Sequence, residues 1–185
     1  MKVARVAAYS PEAVAEFTVG MILTVTRKYH KAYNRVREGN FLLEGLVGIN
    51  LHGKTIGLIG TGKIGLLTGK ILSKGFGSQV VAYDPYPSPV AEEYGIKYVN
   101  TLEELLSKSD IISLHCQLVD STKYIINDNT LGQMKKGVIL VNTSRGGLID
   151  TYALIRYASS KVFDLQSLIF PGQGFEKRTC CSSWP

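Results

Sequence analysis

The sequence predicts an α/β fold, a doubly wound parallel sheet with helices on both faces. Three observations carry this. Short stretches read as continuous apolar runs rather than alternating ones, as strands buried on both faces do. Helical patterns separate these runs, the spacing of strand–helix–strand units. A glycine-rich turn, Gly60-Thr61-Gly62-Lys63-Ile64-Gly65, joins the first run to a helix.

In chain order, Val3 to Val6 reads as a short strand. Ser10 reads as an N-cap, with Pro11 at the first helical position and Glu12 beside the positive helix end. The helix is expected to run to Glu38, where Gly39 stops it. Its first half is apolar nearly all round and needs burial, within its own domain or against a second subunit, so a homodimer is an expected partner. Strands follow at Thr55–Ile59, Gln79–Tyr83, Asp110–Leu114 and Val138–Val141. Helices are expected at Lys63–Leu72, Thr101–Leu106 and Thr130–Lys135, the second opened by a Thr101/Glu104 capping box. From Lys161 no period is visible. Residues 1–155 are therefore read as one domain and 156–185 as a divergent tail, leaving the sheet incomplete at its C-terminal edge.

Composition narrows the class. The 185 residues are 45% hydrophobic and 19% charged, ordinary for a globular protein. The formal charge is +6, but no long run of like charge marks a nucleic-acid-binding tail. Arg27, Lys31 and Arg35 read as a solvated helix stripe. The most apolar window, Phe17 to Val25, is too short to span a bilayer. Three cysteines, two of them adjacent, make no disulfide framework, and a reducing, cytoplasmic setting is expected. His30, His52 and His115 are scattered, so no metal site is expected.

The glycine turn carries the chemistry. Following a strand and opening a helix, it fits the dinucleotide-binding fingerprint of Rossmann-like folds. Gly60 permits the tight turn, Gly62 lets a pyrophosphate approach the backbone, and Gly65 lets the helix pack close. The phosphates would meet the positive helix start. Asp84 ends the second strand, 19 residues after Gly65, where an acid bonds the adenosine ribose and repels a 2′-phosphate. NAD is therefore the expected cofactor, bound in preference to NADP. A competing P-loop reading fails because Ile64 stands where a Ser or Thr would hold magnesium. Tyr157 and Lys161 match a Tyr-x-x-x-Lys pair by chance, and Asn142-Thr143-Ser144 matches a glycosylation sequon by chance. Arg145, on the Gly146-Gly147 turn beyond the fourth strand, can present a two-pronged fork to a carboxylate.

From about Lys2 to Ile155 the chain resembles the D-isomer-specific 2-hydroxyacid dehydrogenases. The segments VARVAAYSPEAVAEFTVGMIL, REGNFLLEGLVGINLHGKTIGLIGTGKIG, VVAYDPYP, SDIISLHCQL and KKGVILVNTSRGGLIDTYALI carry the resemblance, and AYDPYP with LEGLVG…LHGKT is most similar to the D-lactate branch. It implies hydride transfer between NAD and a small 2-keto or 2-hydroxy acid. It assigns Arg145 to the substrate carboxylate, and Lys63 and Ile64 to the phosphates. It adds Cys116, Gln117, Thr122, Thr143 and Ser144 as cofactor contacts; Gln117 stands where the family usually has Pro. The family's catalytic histidine and its glutamate partner lie beyond where the resemblance fades. His115 falls in the cofactor segment, and no histidine follows it. The chain is thus expected to be a truncated member with little activity alone. The other reading is a non-catalytic NAD-binding or interaction module.

Overall fold

The computed structural model describes residues 10–159 and the strand at 166–169. Six parallel strands form one sheet: β1 Thr55–Ile59, β2 Gln79–Tyr83, β3 Ile96–Tyr98, β4 Ile111–Leu114, β5 Ile139–Asn142 and β6 Gln166–Ile169. Their order is β3-β2-β1-β4-β5-β6, the doubly wound order expected. The direction of winding reverses between β1 and β4, which opens a crevice at their carboxyl ends.

Register aligns that rim. Ile59 pairs with both Tyr83 and Leu114, and Leu114 pairs with Asn142. Gly60, Asp84, His115 and Thr143 therefore leave the sheet at one level. Alternate residues of each strand enter opposite cores. Ile112, Leu114 and Leu140 join Leu105, Leu106 and Leu148 on one face. Ile111, Ile139 and Val141 join Ile22, Leu72 and Val19 on the other. Each fully buried Leu or Ile contributes about 1.5–3 kcal/mol of transfer free energy, so the rim rests on a firm floor.

Several elements differ from expectation. The single helix Pro11–Glu38 is two: α1 Pro11–Thr26 and α2 Tyr29–Arg37. Lys28 between them is left-handed, at φ 57°. Before the break, the Thr24 and Thr26 hydroxyls donate to Gly20 O and Ile22 O, the back-bonding that competes with regular helix. The apolar face of α1 finds its partner inside the domain: Ala15, Val19, Ile22 and Val25 are buried, and α1 packs on α3. The basic residues are not a purely solvated stripe. Arg35 Nη1 donates to Leu42 O and Glu44 O, Lys28 Nζ to Gly45 O, and Arg27 Nη1 to Asn50 Oδ1, holding the loop that leads to β1. Ser10 precedes α1 but makes no side-chain cap.

Helix α3 spans Lys63–Lys70 and continues as a π-helical turn over Ile71–Gly75. Helix α4, Leu102–Lys108, is capped by Thr101 Oγ1, which accepts from Glu104 N at 3.1 Å. The Glu104 carboxylate reaches back to Asn100 N, one residue before the cap. Helix α5 begins earlier than expected, at Asp128–Gly132, because the Asn127 side chain accepts from Asn129 N and Thr130 N. Helix α6 is Thr151–Ser159. The stretch expected to lack structure contributes β6, which extends the sheet beyond β5. Val3–Val6, Lys161, Cys180 and Cys181 lie outside the described residues.

Candidate cofactor site

The three glycines of the turn after β1 serve different ends. Gly60 sits at φ +99°, and a Cβ there would lie 2.6 Å from Cys116 N and 2.8 Å from His115 C. A Cβ on Gly65 would overlap the Gly60 carbonyl oxygen. Both are demanded by the protein's own packing. Gly62 is different: a Cβ there would meet nothing within 4 Å, and the residue is exposed as the N-cap of α3. Among the described residues nothing fills the place of a side chain at Gly62, so the backbone there is open to approach. The first N–H groups of α3 beside it have no intrahelical acceptors, as at any helix start, which suits an anion.

Asp84 follows β2 and closes on this turn. Its Oδ2 accepts from Thr61 N at 2.6 Å and from Thr61 Oγ1 at 2.9 Å, and its Oδ1 accepts from Tyr86 N at 2.8 Å. An ionised carboxylate has about four acceptor positions, so Oδ1 retains capacity for another donor.

After β4, His115 and Cys116 form the back wall. His115 Nε2 lies 2.9 Å from Ser113 Oγ. Burial pushes His115 down to about 4, so the ring is neutral at physiological pH. Burial also raises the Cys116 thiol, with the nearby Asp84 charge acting in the same direction, so it is not a reactive thiolate. The Thr122 hydroxyl donates to Gln117 O at 2.6 Å and accepts from Val119 N at 2.9 Å, closing this loop into a turn.

After β5, the buried Asn142 side chain shapes the next loop. Its Oδ1 accepts from Ser144 N and its Nδ2 donates to Arg145 O, both at 2.9 Å. At 1% exposure it is not a glycosylation acceptor. Ser144 Oγ donates to Cys116 O at 2.8 Å, tying this loop to the one after β4. The Thr143 and Thr18 hydroxyls share a hydrogen bond at 2.8 Å, tying it to α1. Arg145 is exposed; its Nη1 donates to Ser144 O.

A cavity of about 960 Å³ lies along the carboxyl edge. Gly60, Gly62, Asp84, Cys116, Gln117 and Thr122 line it. Of the other residues singled out, Lys63 and Ile64 open α3 directly after Gly62. Gly65 packs beneath the turn, and Thr143, Ser144 and Arg145 sit on the adjoining loop. Among the described residues no cluster of potential metal ligands occurs, and no helix is long and apolar enough to cross a membrane.

Residues 19–166 match the family model described as the NAD-binding domain of the D-isomer-specific 2-hydroxyacid dehydrogenases. The chain belongs to that family. It is 57% identical over 159 residues to a D-lactate dehydrogenase of Curvularia clavata, covering 86% of this chain and 45% of that protein. It is 54% identical to the Escherichia coli D-lactate dehydrogenase over 155 residues, covering 84% and 46%. The apo-structure of the Escherichia coli enzyme superposes with a TM-score of 0.85 at 50% identity, over 91% of this chain and 53% of that one. D-lactate dehydrogenase from Aquifex aeolicus, complexed with NAD and lactic acid, gives 0.81 at 38% identity, over 89% and 50%. The chain spans about half the length of these relatives. The family's cofactor is NAD, and the space at Gly62, the α3 start and the carboxylate of Asp84 fit its phosphates and ribose.

Three residues here escaped sequence reasoning as site residues: Thr61, Tyr98 and Asn142. Thr61 is a variable position of the glycine pattern. Tyr98 lies 37 residues away from it in sequence yet donates to its hydroxyl. Only the hydroxyl of Thr61, placed between two glycines and a later acid, offered a hint.

Proposed function

We propose that this chain is the NAD-holding part of a dehydrogenase that interconverts a small 2-keto acid and its D-2-hydroxy acid, of the D-lactate type. The observation that carries this is the open space at Gly62 beside Asp84, on a cavity large enough for a dinucleotide. Gly62, Lys63 and Ile64 hold the phosphates at the start of α3, on the turn that Gly60 and Gly65 make possible. Asp84 takes the adenosine ribose hydroxyls. Cys116, Gln117, Thr122, Thr143 and Ser144 line the way toward the nicotinamide. Arg145 offers its guanidinium to the substrate carboxylate, a pairing that its planar fork suits. Bound NADH supplies a hydride to the keto carbon of the substrate.

Reduction also needs a proton for the developing alkoxide. A guanidinium offers hydrogen bonds and charge but does not serve as a proton donor. His115 is the last histidine of the 185 residues, and it is neutral, bonded to Ser113, and part of the cavity wall. A positioned acid contributes on the order of 10²–10⁴-fold, so the 185-residue polypeptide by itself reduces pyruvate far below an enzymatic rate. A reducing, cytoplasmic setting and pairing as a homodimer belong to the proposal.

Fluorescence titration with NADH and NADPH tests the cofactor reading. NADH binds more tightly, and Asp84→Ala narrows the gap. Equal affinities in the parent chain overturn the assignment of Asp84. Absorbance at the NADH band with pyruvate present tests the second half. Rapid oxidation that Arg145→Ala abolishes would show that a proton donor exists within these residues.

A further inference from the structure

We infer that Tyr98 is a positioning residue for cofactor selection, acting on Asp84 through Thr61. Four groups form a directed chain. Ser88 N–H donates to Tyr98 Oη at 2.8 Å. Tyr98 O–H donates to Thr61 Oγ1 at 2.8 Å. Thr61 O–H donates to Asp84 Oδ2 at 2.9 Å, and Thr61 N–H donates to the same oxygen at 2.6 Å.

The directions are forced. A carboxylate can only accept, so the one hydroxyl proton of Thr61 points to Asp84. The proton between Thr61 and Tyr98 must then be the phenolic one, so Tyr98 donates to Thr61. The backbone N–H of Ser88, which can only donate, fills an acceptor position on Tyr98 Oη. The chain ends on the one group that can only accept. Thr61 is buried at 4% exposure, so water does not readily replace Tyr98 as the donor to its hydroxyl. Polarisation along such a chain strengthens each bond.

The consequence falls on the other carboxylate oxygen. With Oδ2 engaged twice by Thr61, the carboxylate cannot rotate freely; Asp84 lines the cavity, and its Oδ1 has one position filled by Tyr86 N. Tyr98 ends β3, Asp84 follows β2 and Thr61 follows β1, so the relay also locks three adjacent strand ends to each other. A fixed anion discriminates between a 2′-hydroxyl and a 2′-phosphate better than one free to swing aside. The inference rests on the reading of Asp84 as the ribose ligand.

Tyr98→Phe in the full chain tests it, with NADH and NADPH each titrated by fluorescence. Loss of one net hydrogen bond predicts a drop in NADH affinity of about three- to tenfold. NADPH affinity changes less, so the NADH/NADPH ratio contracts. Thr61→Val reproduces the contraction and Thr61→Ser restores the parent ratio. Adding Tyr98→Phe to Thr61→Val contracts the ratio no further. A merely structural tyrosine would lower both affinities together and shift the melting temperature, leaving the ratio intact; that result overturns the inference. Asp84→Ala separates the two levels. If it leaves the ratio unchanged, the ribose reading fails; if it contracts the ratio while Tyr98→Phe does not, the relay alone fails.

Discussion

The loops after β1 and after β5 start at the same level of the sheet but are held in opposite ways. The first, Gly60–Gly65, has no side chain at Gly60 and Gly65, where main chain approaches main chain and a Cβ would collide, and is held from outside by Asp84 and Tyr98 at Thr61. The second, Asn142–Gly147, is held by a side chain that is present, the buried amide of Asn142 bridging Ser144 and Arg145. Cys116 stands between them. Its N–H side blocks a Cβ on Gly60, and its carbonyl accepts from Ser144. Under the proposed reading, the first loop admits phosphate where Gly62 leaves the backbone open, and the second aims Arg145 from a stiff internal bridge.

The comparison breaks first, and most visibly, at Gly65. Gly65→Ala drives a methyl into the Gly60 carbonyl and should cost more than about 3 kcal/mol, seen as a large loss of melting temperature. Gly62→Ala is its counterpart. With open space and φ −65° it should leave stability within about 1 kcal/mol of the parent while lowering NADH affinity. If both variants behave alike, the division between packing glycine and ligand glycine is wrong.

Asn142→Ala removes both bonds of the internal bridge and leaves two part-buried partners unpaired. It should cost about 2–3 kcal/mol in a denaturant titration. Asn142→Asp keeps the acceptor for Ser144 N but places a carboxylate against the Arg145 carbonyl, so it should rescue little.

The wall shared by the two loops is pH-sensitive. His115 has its pKa lowered from 6.5 to about 4, so the folded chain binds fewer protons than the unfolded one between those values. Stability is therefore complete above pH 6.5 and falls as pH drops toward 4, by on the order of 1–3 kcal/mol. Melting temperature measured across this range reads the slope, and His115→Asn should flatten it. An unchanged slope in that variant would remove His115 as its source. The smallest effect belongs to Ser144→Ala, which cuts the tie to Cys116 O and should cost about 1 kcal/mol.

Local order in the sequence by itself determined the strand–turn–helix around Gly60–Gly65, the four apolar strands β1, β2, β4 and β5, and the acid that follows β2. Each depends on neighbours within a few residues: a strand's apolar run, a glycine's freedom, a helix start. The family was legible for the same reason, since its segments are contiguous. Tertiary structure alone decided the rest. It set α2 off from α1 at the left-handed Lys28, and Arg27, Lys28 and Arg35 all bond the loop that follows α2. It placed β6 beside β5, where pairing with an existing edge orders a stretch with no period of its own. It set Tyr98 on Thr61 and Thr18 on Thr143, across 37 and 125 residues of chain. No local pattern encodes such hydroxyl pairs: each hydroxyl is unremarkable in its own segment and acquires a partner only when the strands come into register.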